Sequence, residues 1–112
     1  MKSKLVISID CSKIIDRETF HNVFREALGF PDFYGMNMDA WIDCMTSLDE
    51  EDGLTAVTLK PGEVLTLRLD DYKDFKARCP DIAQDIIECS AFVNWRRNDT
   101  GDKSVLAISF HE

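Results

Sequence analysis

Residues 28–46 read Leu28-Gly-Phe-Pro-Asp-Phe-Tyr-Gly-Met-Asn-Met-Asp-Ala-Trp-Ile-Asp-Cys-Met-Thr46. Pro31 disfavours the helical region at Phe30 and Gly35 permits a sharp turn, so the first part reads as an ordered aromatic loop. Asn37 then offers a side-chain N-cap to a helix running to about Leu48, with Asp39 in the first turn, where a negative charge suits the macrodipole. At about 100° per residue, Ala40, Cys44, Leu48, Trp41 and Met45 fall within an arc of about 140°. That arc is an ample core stripe. Met38, Ile42, Thr46, Asp39 and Asp43 occupy the side left over, which sets two apolar residues beside two carboxylates on a face that burial does not require. An apolar group rimmed by acids suits partner binding, with the charges giving steering and register. Asp39 and Asp43 stand four apart on a helix, where like charges cost a few tenths of a kcal/mol. Helix stability does not account for them.

Outward from this stretch, the charge is lopsided. From Glu26 to Leu59 there are eight acids (Glu26, Asp32, Asp39, Asp43, Asp49, Glu50, Glu51, Asp52) and no Lys or Arg. Since the chain has 21 acids and 13 bases in all, the other residues balance at 13 of each, and the net charge of -8 belongs to this one window. A localised negative field implies a positively charged partner. Direct nucleic-acid binding is disfavoured, because Arg96-Arg97 and the Lys73, Lys76, Arg78 group are small and offset by neighbouring aspartates.

On either side, the pattern is that of a layered α/β fold. Leu5 to Ile9 is a short apolar run suited to a buried strand. Asp16 can cap a helix carrying Phe20, Val23, Phe24, Ala27 and Leu28, which Gly29 closes. After the central helix, Leu54 to Leu59 and Val64 to Leu69 are strand-like, and Pro61-Gly62 between them supplies the chemistry of a hairpin turn. Asp70 or Asp71 can cap a short helix to Arg78, and Pro80 opens a longer one through Ile82, Ile86, Ile87 and Val93. Val105 to Phe110 is a final alternating strand. The order is therefore strand, two helices, one or two strands, two helices, strand, with crossovers that make the main strands parallel. A chain of 112 residues suffices for one domain and one core.

Here the quoted stretch resembles the barstar family of ribonuclease inhibitors, whose pattern runs Pro-x-Tyr-Tyr-Gly-x-Asn-Leu-Asp-Ala-Leu-Trp-Asp-Cys-Leu-Thr. The spacing matches without a gap over roughly 20 residues. The resemblance implies a three-stranded parallel sheet packed by about four helices, beyond which the Leu54–Leu59 hairpin strand would be an addition. It also implies a ribonuclease-binding surface made by the loop and the second helix, on which Phe33, Tyr34, Gly35, Asn37, Met38, Asp39, Ile42, Asp43 and Thr46 would contact the partner. Asp43 corresponds to the family's aspartate that enters the nuclease active site, and Asp39 to its companion one turn earlier. Phe33 lacks the hydroxyl of the family's first tyrosine, Ile42 replaces a tryptophan, and Leu48 stands where barstar has a second one. The implied partner is a basic extracellular-type ribonuclease or nuclease toxin, and the implied role is inhibitor or immunity protein. The alternative is a module of the same fold that binds a different basic protein without inhibiting a nuclease.

The residues give little support to other chemistry. A helix face with Met38 and Ile42 between its carboxylates offers no nucleophile, oxyanion donors or cleft, so no catalytic residue is expected. Asp49 to Asp52 lacks the alternating ligands of a calcium loop, and Cys11, Cys44, Cys79 and Cys89 form no Cys-x-x-Cys pair, so no metal or cofactor is expected and the thiols read as reduced and mostly buried. His21 and His111 read as structural or solvated. Met1 to Asp10 resembles neither a signal peptide nor a membrane span, and a cytoplasmic protein is the expectation.

Overall fold

Strand alternation sets the frame. A computed structural model of the chain describes residues 5–112, and Met1 to Lys4, part of the expected non-signal N-terminus, lie outside them. Strand β1 (Leu5–Asp10) leads through a short 3-10 turn (Cys11–Lys13) to helix α1 (Arg17–Leu28), then α2 (Met38–Thr46), β2 (Leu65–Asp70), α3 (Tyr72–Arg78), α4 (Pro80–Asp99) and β3 (Leu106–Phe110). The sheet runs in the order β1-β2-β3, parallel throughout, with Leu5, Leu65 and Leu106 in one row and Ile7, Leu67 and Ile108 in another. Side chains alternate across a strand, so these rows share one face with Ile9 and Leu69 and pack into the core. The opposite face carries Val6, Ser8, Arg68 and Ala107, all exposed. Parallel sheets are usually covered on both sides. Among the described residues only one side is covered: β2 and β3 alternate accordingly, whereas β1, expected from its apolar run to be a buried strand, has Val6 exposed on the open side.

Helix α1 begins and ends, and α4 begins, where the local chemistry says they should. Asp16 and Thr19 form a reciprocal capping box at α1, with the Thr19 N–H donating to Asp16 Oδ1 at 2.9 Å and the Asp16 N–H to Thr19 Oγ1 at 3.0 Å. Gly29 ends α1 in the left-handed region at φ 64°, and Ala56 lies against it so closely that a side chain there would collide. Pro80 is the first residue of α4. Asp71 precedes α3 at φ 56° with no side-chain cap hydrogen bond, so it turns the chain there without capping the helix.

Two expectations need correction. Leu54–Leu59 is not a strand and no hairpin forms. β2 is the central strand, and its two edges are already hydrogen-bonded to β1 and β3, which leaves none for a hairpin partner. The segment 47–64 is irregular instead, held by the Leu59 N–H on the Leu48 carbonyl (2.7 Å) and the Ala56 N–H on the Leu28 carbonyl (2.9 Å). The second helix ends at Thr46 rather than Leu48, and Leu48 is buried in the turn that follows.

What ends that helix comes from far away in sequence. The last carbonyls of a helix lack intrahelical partners. Here the guanidinium of Arg97 on α4 donates to the Thr46 carbonyl (2.9 Å), the Lys103 carbonyl (2.8 Å) and both carboxylate oxygens of Asp49 (3.0 and 2.8 Å). Arg97 is 7% exposed. Its hydrogen bonds hold the Asp49 carboxyl below its usual pKa against the opposing effect of burial. Arg97→Met leaves these acceptors without their donor and is expected to cost about 2–3 kcal/mol. That sits below the usual range for a broken buried pair because Asp49 keeps access to water. A lower urea midpoint with unchanged slope would register it.

Candidate functional site

The loop between α1 and α2 is pinned from inside. Phe30 and Tyr34 are buried with ring centroids 4.7 Å apart, and the Tyr34 N–H donates to the Pro31 carbonyl at 2.9 Å. The Tyr34 hydroxyl shares a 2.6 Å hydrogen bond with Nδ1 of buried His21 on α1. Tyr34 is thus 6% exposed and anchors the loop, whereas neighbouring Phe33 points outward at 77% exposure. Of the two aromatic loop positions singled out by sequence, only Phe33 offers its ring to a partner.

His21 gains a partner that sequence reading did not supply. Burial, with a smaller effect from Arg17, lowers its pKa below the ordinary 6.5. The folded state therefore binds fewer protons than the unfolded state on the acid side of that value. The stabilisation from neutral His21 is complete above about pH 6.5 and is lost as the pH falls through 6.5 toward the lower folded pKa. We expect urea stability to drop between about pH 7 and 5, and His21→Phe to flatten that slope. An unchanged slope in the variant would assign the dependence to other groups.

The turn into α2 is tighter than the sequence suggested. The residue with positive φ is Met36 at 55°, not Gly35. A non-glycine residue there costs on the order of 1 kcal/mol. Its side chain packs partly against the core, which offsets the strain. Asn37 caps α2 as expected, accepting from the Ala40 N–H at 2.8 Å while its amide donates to the Gly35 carbonyl at 3.2 Å.

On α2 the core stripe holds Trp41, Cys44 and Met45, with Trp41 set edge-on to Phe24 (5.7 Å, 74°). Asp39 and Asp43 are exposed. Met38 and Ile42 are half-buried and packed partly against the core, so they lend the face only part of their apolar surface. Thr46 is half-buried too, its hydroxyl donating to the Ile42 carbonyl at 2.6 Å. Gly35 is exposed beside the helix start. The resulting surface runs from Phe33 over Gly35 and Asn37 to Asp39 and Asp43.

One feature of this surface was hidden in sequence. Arg96 on α4 donates to Asp43 at 3.2 Å, with both side chains about half exposed. Such a pair contributes about 0–1 kcal/mol and is easily exchanged for another. The signal lay in the Arg96-Arg97 doublet on α4, which pairs with Asp43 and Asp49 in the connection between β1 and β2 rather than with the aspartates near it in sequence.

Among the described residues, no three His, Cys, Asp or Glu side chains are grouped as metal ligands would be, and no helix is long and apolar enough to cross a membrane. All four cysteines are free. Cys11 and Cys44 are buried, and burial first, with nearby carboxylates second, raises their pKa values to about 12 and about 11. These thiols stay protonated and unreactive. A surface depression of about 320 Å³ lies away from the acidic face, between the start of α1 and the α3–α4 junction around Arg17, Arg78 and Cys79. Arg78 there is already donating to the Ile14 and Cys11 carbonyls and to Asp74.

The family model described as Barstar (barnase inhibitor) matches residues 5–108 of the chain. No curated protein matches it.

Proposed function

The chain belongs to the barstar family, and from that membership we propose that it binds a basic ribonuclease and occludes its active site with the loop–helix face of α2. The observation that carries this reading is the pair of exposed carboxylates, Asp39 and Asp43, on a short helix whose other side is locked into the core. An enzyme that stabilises a phosphoryl transition state gathers cationic groups around an anionic pocket. Asp43, with Asp39 beside it, can present a carboxylate to that pocket without offering a bond to cleave. Phe33, Gly35, Asn37, Met38, Ile42 and Thr46 would surround that contact, and Tyr34 would hold the loop in place from beneath.

Inhibition then needs no chemistry from this protein. The negative window from Glu26 to Leu59 would speed encounter, to on the order of 10⁸ per molar per second at low salt. An inhibitor or immunity protein acting in the cytoplasm fits this role. A second reading is a module of the same fold directed at some other basic protein. The half-burial of Ile42, where the family carries a tryptophan, and the Arg96 partner of Asp43 favour a target that differs from barnase.

The test is affinity capture with wild type and the Asp39→Ala, Asp43→Ala double variant in parallel, with captured proteins assayed for RNA cleavage. The proposal expects a basic ribonuclease that is silenced by stoichiometric wild type and absent from the variant. Capture of the same protein by both baits would move the binding site off α2, and a captured partner without nuclease activity would select the second reading.

A further inference from the structure

Helix α4 carries a surface that packing does not explain. At about 100° per residue, Ile82, Ile86, Ser90, Val93 and Arg97 fall within about 80° and face the core. Phe92 and Trp95 lie about 120° and 180° from the centre of that stripe. Both are exposed, at 44% and 60%, with rings stacked at 5.8 Å and 30°. Water-facing aromatics on a well-formed helix are unusual company for a small soluble domain, and Trp is among the residue types that dominate interface energetics.

The surroundings say what the pair would take. Glu88 lies one turn before Phe92 and Asp99 one turn after Trp95, so exposed carboxylates flank the rings along the helix. Arg96, one turn after Phe92, is turned toward Asp43 and has its charge matched there. Through that ion pair the aromatic ledge is continuous with the acidic face of α2. Aromatic faces with carboxylates on either side attract cations, and planar guanidinium stacks on them better than ammonium does.

We infer that Phe92 and Trp95 form a second contact area for the basic partner, on which one of its arginine side chains stacks while Asp39 and Asp43 engage its cationic pocket. This rests on the reading of the chain as a binder of a basic protein, and it places a contact on α4 that the loop and α2 do not supply.

A deca-arginine peptide probes the ledge directly, with deca-lysine as an equal-charge control, by calorimetric titration of the full chain at about 150 mM salt, where long-range attraction is screened. The variants are Phe92→Ser with Trp95→Ser, Phe92→Ser alone, Trp95→Phe, and Asp39→Ala with Asp43→Ala. Because both rings are exposed, an unchanged thermal midpoint is the folding control. Deca-arginine is expected to bind wild type about fivefold more tightly than the double serine variant, with deca-lysine much less affected and Trp95→Phe retaining most of the affinity. Equal binding by wild type and the double serine variant, or no binding by wild type, would overturn the ledge. Loss only on Asp39→Ala with Asp43→Ala would remove the ledge and leave the α2 reading standing. Loss only in the serine variants would do the reverse.

Discussion

Asp43→Ala is expected to weaken inhibition of the target ribonuclease by about 30-fold or more, with stability almost unchanged. A carboxylate that fills a cationic pocket is desolvated on both sides of the interface, and removing it leaves the partner's cations buried without a counter-charge. Hot-spot truncations of this kind cost about 2 kcal/mol or more. Release from Arg96 opposes binding only weakly, because that pair is half exposed. Asp39→Ala should cost less and act more on the association rate, since a peripheral charge steers rather than anchors. Inhibition constants from RNA-cleavage titrations, with association rates across a salt series, separate the two. If Asp43→Ala inhibits like wild type, α2 is not the occluding element.

Trp41→Ala is the counterpart on the other side of the same helix, and should cost about 3–5 kcal/mol of stability. The ring is fully buried and sits against Phe24, so its removal leaves a cavity between α1 and α2 that the α1 capping box and the Phe30–Tyr34 anchor prevent from collapsing. Its indole N–H is buried without an acceptor, which costs about 1–3 kcal/mol. Trp41→Phe should therefore be milder than its lost area suggests. Urea unfolding of the two variants tests this ordering, and a Trp41→Phe as damaging as Trp41→Ala would refute it. Inhibition should fall with Trp41→Ala as well, because α2 loses its seat. Asp43→Ala, by contrast, should inhibit poorly while remaining stable, so the two effects can be told apart.

Features governed by near neighbours in sequence were legible. The Asp16 cap, the Gly29 stop, the Asn37 cap and the Pro80 start are local chemistry, and the structure has them. The parallel three-stranded sheet and four helices also match the expected fold. What escaped was set by distant partners. Leu54–Leu59 has the composition of a strand, but β2 has no free edge for it. The α2 terminus is set by Arg97, 51 residues beyond Thr46. Tyr34 reads as a surface aromatic until His21 is found beneath it. On the candidate face, the wheel gave the outward direction of Asp39 and Asp43, while the partial burial of Met38 and Ile42 and the presence of Arg96 depended on how the neighbouring elements pack.

The all-parallel sheet also dictates how quickly the molecule can be assembled. Leu5 pairs with Leu65 and Leu65 with Leu106, separations of 60 and 41 residues, so neither pairing can form before a long loop has closed. Helices α1 and α4 can flicker into shape within about a microsecond, but the central strand must wait for both neighbours, and chains dominated by such distant pairings fold in roughly milliseconds to seconds. During that wait the apolar rows of β2 are without cover. The slow closure of β1 and β3 around β2, rather than the formation of any helix, is the step at which a chain of this design is exposed to aggregation.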